Sequence, residues 1–236
     1  MKESKLERSI DIFLQAEASR LLEMIPSANH LSNMAQSLNE RYYIRHRIET
    51  VKRIWFTSRT DAISLAEMIL EDYEAARWWS KYIHQELNHD LLYLRDLQCH
   101  GLSQTDIKNT PPFISTLVMV DYIETEIKRV GSIAAVAYSI WVEWNSDKIS
   151  GTVVTRAQNH YSAAFIKGSK AHVHIDINED HYRVMLRVVN KLLQSKDSNI
   201  IFVLLYNFTN LFANYFTELQ EYTKKDCPSF AASHQA

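Results

Sequence analysis

The chain has 236 residues, of which 46% are hydrophobic and 23% are charged, and its formal net charge is -2. Charges of both signs are interspersed, so the sequence lacks a basic stripe that could neutralise phosphates, and nucleic acid is not an expected partner. The two cysteines, Cys99 and Cys227, form neither a CxxC pair nor a disulfide framework, which fits a cytoplasmic protein. With four glycines and four prolines, the chain has too few turn-forming residues for a turn-rich sheet. The composition therefore predicts an all-α fold.

Apolar periodicity predicts a series of helices separated by short breaks. The first of them has acidic residues and amphipathic spacing where a signal peptide would have a continuous apolar core, so we interpret it as part of the fold. The predicted helices span residues 4–25, 28–56, 60–80, 80–100, 113–130, 132–145, 150–166, 175–196 and 198–222. The most apolar run, 200–216, is shorter than a membrane span and carries asparagines, so we expect no membrane insertion.

These helices predict a single domain over residues 1–222, followed by a loose tail at 223–236. Two of the predicted breaks interrupt the apolar periodicity at Ser58 to Thr60 and at the KGSK segment, 167–170. Helix 132–145 is apolar almost all round and is expected inside the bundle. Its one charge is Glu143, which either reaches solvent at the helix end or is paired with a cation or a metal.

Two further fragments could join Glu143 in one site. In HQELNHDLL, Glu86 and His89 are three residues apart and therefore share a helix face. In HIDINEDH, residues 174 to 181, an ideal helix places positions 174, 178 and 181 within about 60° of arc. Such pairs also arise by chance on polar helix faces, so each fragment alone is weak. Together they offer a mixed nitrogen and oxygen ligand set, which suits iron or manganese and is foreign to structural zinc.

The order of the fragments resembles that of the haem-oxygenase-like di-iron oxidases, the CADD-like group related to TenA and PqqC. Residues 78–101 look like the family's helix with a carboxylate and a histidine, 132–145 like its second ligand helix, and 174–181 like its HxxxDxxH helix. The resemblance covers most of the chain. It implies a haem-oxygenase-like multi-helix bundle that forms a homodimer and uses one or two iron ions, or manganese, to activate O2 on a small-molecule substrate.

Carried over by position, the resemblance implies six metal ligands: Glu86, His89, Glu143, His174, Asn178 and His181. Asn178 departs from the pattern, because the family has an aspartate there and an amide is a weaker oxygen donor for a hard cation. One of two metal positions is therefore in question. An alternative register with His172, Asp176 and Glu179 restores a carboxylate but loses the last histidine.

Other functions remain open at this stage. A metal-free or degenerate binding protein would keep the bundle without the chemistry, and Asn178 is consistent with that. A TenA-like hydrolase would need a cysteine nucleophile, for which Cys99 beside His100 is the candidate. Haem oxygenases, which the fold also resembles, have a glycine-kinked helix over the porphyrin. Helix 132–145 contains no glycine, so haem is not expected. His30, the candidate axial ligand, is better interpreted as a polar residue near a helix start.

Overall fold

The computed structural model describes residues 4–194 and 197–224, without the side chains of residues 176–179. Within these ranges every regular element is helical, as the composition predicts. The helices are α1 (Lys5–Met24), α2 (Glu40–Glu71), α3 (Tyr73–Glu86), α4 (His89–Cys99), α5 (Gln104–Asn109), α6 (Ile114–Val130), α7 (Ile133–Gln158), α8 (Lys167–Glu179), α9 (His181–Leu192) and α10 (Asn199–Lys224). Short 3₁₀ turns lie at Pro26–Asn29 and Ala163–Ile166. Residues 225–236, most of the predicted tail, lie outside the described residues.

Helix α7 occupies the centre of the bundle. Every residue from Ile133 to Ile140 is buried, and the helix packs against α6, α8, α9 and α10. The prediction of an interior helix over 132–145 is confirmed. The prediction of a separate helix over 150–166 is wrong, because α7 continues to Gln158 and hydroxyls such as that of Thr155 bond to carbonyls of the same helix.

Helix α2 is also longer than the sequence predicts. The expected break at Ser58 to Thr60 is wrong, since α2 runs without interruption to Glu71. The hydroxyls of Thr57, Ser58 and Thr60 each donate to a carbonyl three or four residues earlier, at 2.8 Å, so these polar residues are satisfied within the helix. The chain instead turns at Asp72, whose carboxylate accepts a hydrogen bond from the backbone N–H of Ala75 at 2.8 Å.

The KGSK segment begins a helix that packs closely on α4. Asp96 of α4 accepts hydrogen bonds from the backbone N–H groups of Gly168, at 2.6 Å, and Ser169, at 2.7 Å. A Cβ atom at Gly168 would lie 1.8 Å from the carbonyl oxygen of Leu92, so the approach requires glycine. This contact brings α8 alongside α4, which begins at His89.

The predicted single helix over 175–196 is wrong. The chain forms α8 and α9, separated by Asp180, which has φ 50° and ψ 49°. Aspartate tolerates this left-handed conformation better than most residues, and periodicity does not reveal such a break. His174 and His181 therefore belong to different helices, and the argument that 174, 178 and 181 face one point on an ideal helix does not hold.

Helix α10 is long and apolar enough to cross a membrane by length and composition, and it is the one helix of the described residues with that property. Its buried residues, which include Leu204, Phe208 and Phe212, are directed into a bundle in which α10 packs against α1, α2, α6 and α7. This packing is typical of the core helix of a soluble domain.

Candidate metal centre

Two carboxylates and one imidazole converge in the interior of the bundle. Glu86 ends α3, Glu143 lies within α7, and His181 begins α9, and one ligand atom from each lies within 4.8 Å of the other two. His181 Nδ1 is 3.2 Å from Glu86 Oε1 and 3.7 Å from Glu143 Oε2. Glu143 is 5% exposed and His181 is 2% exposed. The cluster is thus shielded from solvent on most sides.

His89 extends the cluster on the side of α4. Its Nδ1 lies 3.0 Å from Glu86 Oε1, and the ring centroids of His89 and His181 are 5.9 Å apart. The predicted ExxH pair therefore meets, although not on one continuous helix. Leu87 and Asn88 form a turn between α3 and α4, so Glu86 is the last residue of one helix and His89 the first of the next.

Neighbouring imidazoles stabilise the negative charge of Glu86. Burial would raise the pKa of Glu86, but contacts with His181 and His89 outweigh it and lower the pKa to about 2. Glu86 is therefore an anion at neutral pH. Two imidazoles oriented towards one partly buried carboxylate form a centre in which a cation could replace protons.

Tyr82 supports the cluster and was not identified from the sequence. Its hydroxyl donates to Glu143 Oε1 at 2.8 Å, and its ring meets that of His181 edge-on at 5.3 Å. Burial raises the pKa of Tyr82 well above its ordinary value, and the charges of Glu143 and Glu86 raise it further, so the hydroxyl remains a donor. Tyr82 precedes Glu86 by four residues on α3, and that spacing could have identified it.

The remaining predicted ligands are placed differently. His174 is exposed on α8 and is not among the three residues that converge, while Asn178 falls within residues 176–179, whose side chains are outside the described part. Their role as ligands stays a prediction. His172, from the alternative register, has its ring centroid 4.4 Å from that of His89 and lines the adjoining cavity. Asp176 and Glu179 of that register also lie outside the described side chains.

A cavity of about 430 Å³ adjoins the cluster and is large enough for a small organic molecule. Tyr82, Glu86 and Glu143 form part of its wall, and apolar side chains of α1, α7 and α10 form another part. One side is built by polar residues at helical spacing on α2, which we name the α2 polar stripe: His46, Thr50, Arg53, Thr57 and Asp61. Sequence reasoning missed this stripe, although its spacing of three and four residues is visible in the sequence.

Asp61 is the member of the stripe that is electrostatically linked to the cluster. Burial raises the pKa of Asp61 well above its ordinary value, and the charge of Glu86 raises it further. Burial therefore favours the protonated, neutral form of Asp61 in the cavity wall.

Comparison with known proteins supports the architecture. No family model matches the chain, and no curated protein matches it. Among solved structures, a domain of unknown function with a haem oxygenase-like fold from Shewanella denitrificans OS217 superposes with a TM-score of 0.74, at 16% identity, over 94% of this chain and 95% of its own. A TenA homolog from Pseudomonas syringae pv. tomato str. DC3000 superposes with a TM-score of 0.64, at 13% identity, over 87% of this chain and 93% of its own. The chain therefore has the all-α haem-oxygenase-like fold.

Proposed function

We propose that the protein is a non-haem iron oxidase or oxygenase that activates O2 on a small organic substrate. The observation that carries this proposal is the convergence of Glu86, Glu143 and His181 beside a cavity. The fold alone does not identify a function, because related helical bundles host different chemistries. A cytoplasmic homodimer remains a prediction from the sequence and its resemblance.

The donor set fits iron. Carboxylate oxygen and imidazole nitrogen suit iron and manganese, while structural zinc sites are usually rich in cysteine. Glu86 Oε1 lies 3.0 Å from His89 Nδ1 and 3.2 Å from His181 Nδ1, so one carboxylate oxygen and two imidazole nitrogens converge. An oxygen in that position is available for a cation.

In this proposal each residue has a distinct task. Glu86 and Glu143 would neutralise the metal charge, and His89 and His181 would supply nitrogen donors without adding charge. Tyr82 orients Glu143 through its 2.8 Å hydrogen bond. Iron, when bound, would supply the redox chemistry for O2 that amino-acid side chains lack. The cavity would exclude bulk water and hold the substrate against the cluster.

An anaerobic Fe(II) titration of the metal-stripped protein, followed by metal counting, tests the proposal. We expect at least one iron per chain, and O2 consumption by the loaded protein that the stripped protein does not show. Two irons per chain would support a dinuclear centre despite Asn178, and one would support a mononuclear centre. Absence of iron binding would contradict the proposal and favour a metal-free binding protein.

We expect Asn178→Asp to raise the iron occupancy at limiting Fe(II). The substitution restores the negative oxygen donor that the family pattern has at this position, and a hard cation binds carboxylate more strongly than amide. The comparison is made on wild-type and variant protein titrated side by side. Unchanged occupancy would remove position 178 from the ligand set.

The TenA-like alternative has less support. Cys99 is exposed at the end of α4, where its thiol contacts the carbonyl oxygen of Ala164, and it is not among the residues that line the cavity. A nucleophile outside the cavity cannot attack a substrate bound inside it.

A further inference from the structure

Arg53 carries a positive charge into the wall of the cavity. Its guanidinium lies over the ring of Tyr215, 4.6 Å from the centroid, and 6.0 Å from the centroid of Phe212. Nη2 donates to the hydroxyl of Thr50 at 3.2 Å. These contacts fix the plane of the guanidinium and its direction relative to the cavity.

The charge of Arg53 has no ionic partner among the described residues. Nη1 is buried without a hydrogen-bond acceptor. Glu49, one helical turn away, is engaged elsewhere: Arg45 donates to it at 2.6 Å and Thr116 at 2.6 Å. Arg53 is half-buried and has no ion pair within the described part of the chain to give up, so a ligand that supplies an anion there would gain affinity from a charge-assisted hydrogen bond.

The groups around Arg53 are neutral. The His46 Nδ1 and the Tyr215 hydroxyl are 2.7 Å apart, and burial, together with Arg53 and Arg47, lowers the pKa of His46 well below its ordinary value. Burial raises the pKa of Tyr215 to about 12, so its hydroxyl is also uncharged at neutral pH. This end of the cavity is therefore positive.

Two other cations line the cavity, and both have partners. Arg47 lies about 5 Å from the ring centroids of Tyr43 and Tyr93, and it interacts with the negative charge of Asp96. Lys148 lies 3.2 Å from Asp147 and is about half exposed. Arg53 is thus the best placed of the three to bind a ligand anion.

Apolar and aromatic side chains form one continuous part of the cavity wall. Trp141 and Phe212 stack at 3.8 Å, and Phe216, Leu21 and Leu22 continue the same surface. We infer that the cavity binds an apolar monocarboxylate, with its carboxylate on Arg53 and its hydrocarbon or aromatic body between Arg53 and the Glu86–Glu143–His181 cluster. This inference rests on the proposed function for the role of the ligand as substrate, but not for its binding.

Calorimetric titration with 4-phenylbutanoate and its uncharged analogue 4-phenylbutanol tests the inference. Both the metal-stripped and the Fe(II)-loaded protein are titrated, because a carboxylate could also bind iron directly in the loaded form. We expect the carboxylate to bind both forms at least about tenfold more tightly than the alcohol, since a charge-assisted hydrogen bond contributes about 1.5–3 kcal/mol.

Arg53→Gln is expected to remove this preference, and Lys148→Gln, which removes a cation from the rim of the same cavity, is expected to keep it. Arg53→Lys retains the charge without the planar pair of donors and should bind the carboxylate with intermediate affinity. It serves as the second variant should the glutamine variant fold poorly by circular dichroism. A preference that survives in folded Arg53→Gln, or equal binding of acid and alcohol by the wild type, would overturn the inference.

The two proposals fail separately. Carboxylate binding that depends on Arg53 in a protein that takes up no iron would leave the inference standing and contradict the oxidase. Iron uptake by a protein that binds the two probes equally would leave the oxidase proposal standing and contradict the inferred carboxylate site.

Discussion

Replacing His181 by alanine is expected to weaken Fe(II) binding at least about 100-fold, because ligand substitutions cost more than the 10- to 100-fold typical of residues behind the ligands. His181 Nδ1 lies within 3.7 Å of both Glu86 and Glu143, and the convergence of these three residues depends on it. Without the imidazole, the two carboxylates lose the nitrogen donor that lies within reach of both. The measurement is the anaerobic titration, with metal counting on folded, metal-stripped protein.

His174→Ala is the matched control. His174 is seven residues earlier, is exposed and lies on α8, so its loss is expected to reduce iron binding far less than the loss of His181. Glu143→Gln provides an isosteric companion, since the amide oxygen still accepts the hydrogen bond of Tyr82 while the negative charge is removed. Iron binding that survives in His181→Ala and is lost in His174→Ala would reverse the assignment and restore the ligand set of the sequence pattern.

The contacts also indicate which of the two histidines of α8 is the better candidate metal ligand. His172 lies against His89 and lines the cavity, whereas His174 is exposed, so His172 is the better candidate for an additional nitrogen donor. The sequence pattern prefers His174, because it assumes that one helix carries positions 174 to 181. The left-handed Asp180 breaks that helix and turns His181 towards Glu86 independently of α8.

The fold was more predictable than the site. Apolar periodicity located α1, α6 and the interior segment of α7, since burial of one helix face imposes a visible spacing. Apolar periodicity gave a wrong prediction where polar side chains form hydrogen bonds within their own helix. The hydroxyl residues of α2 suggested a break at Ser58, yet the Ser58 hydroxyl donates to a carbonyl of the same helix. A hydrogen bond to the preceding helical turn cannot be recognised from the hydropathy of the sequence.

The site required tertiary information. The motifs identified Glu86, His89, Glu143 and His181 individually, but the distances between them are set by how α3, α4, α7 and α9 pack. Arg53 and Asp61 escaped notice because polar residues at helical spacing are typical of a solvated face. The structure places this face of α2 against a cavity instead, and the same residues thereby become candidate substrate contacts.

Gly168→Ala is expected to lower the free energy of unfolding by about 3 kcal/mol, the upper range for overpacking a buried site. The added Cβ would lie 1.8 Å from the carbonyl oxygen and 2.5 Å from the carbonyl carbon of Leu92, and these backbone atoms cannot rotate away. Helix α8 would have to move from α4, which would stretch the hydrogen bonds from Gly168 and Ser169 to Asp96. For a chain of this size the loss corresponds to a decrease in Tm of roughly 6–12 °C in thermal denaturation.

Gly151→Ala makes the same substitution in α7, where a Cβ would have no atom within 4 Å. Alanine is favoured over glycine inside a helix by about 1 kcal/mol, so this variant should be more stable than the wild type. Since α8 also carries His172, we expect Gly168→Ala to weaken iron binding and Gly151→Ala to leave it unchanged. Equal stabilities of the two variants would mean that α4 and α8 do not pack at this distance, and the contact between His172 and His89 would lose its support.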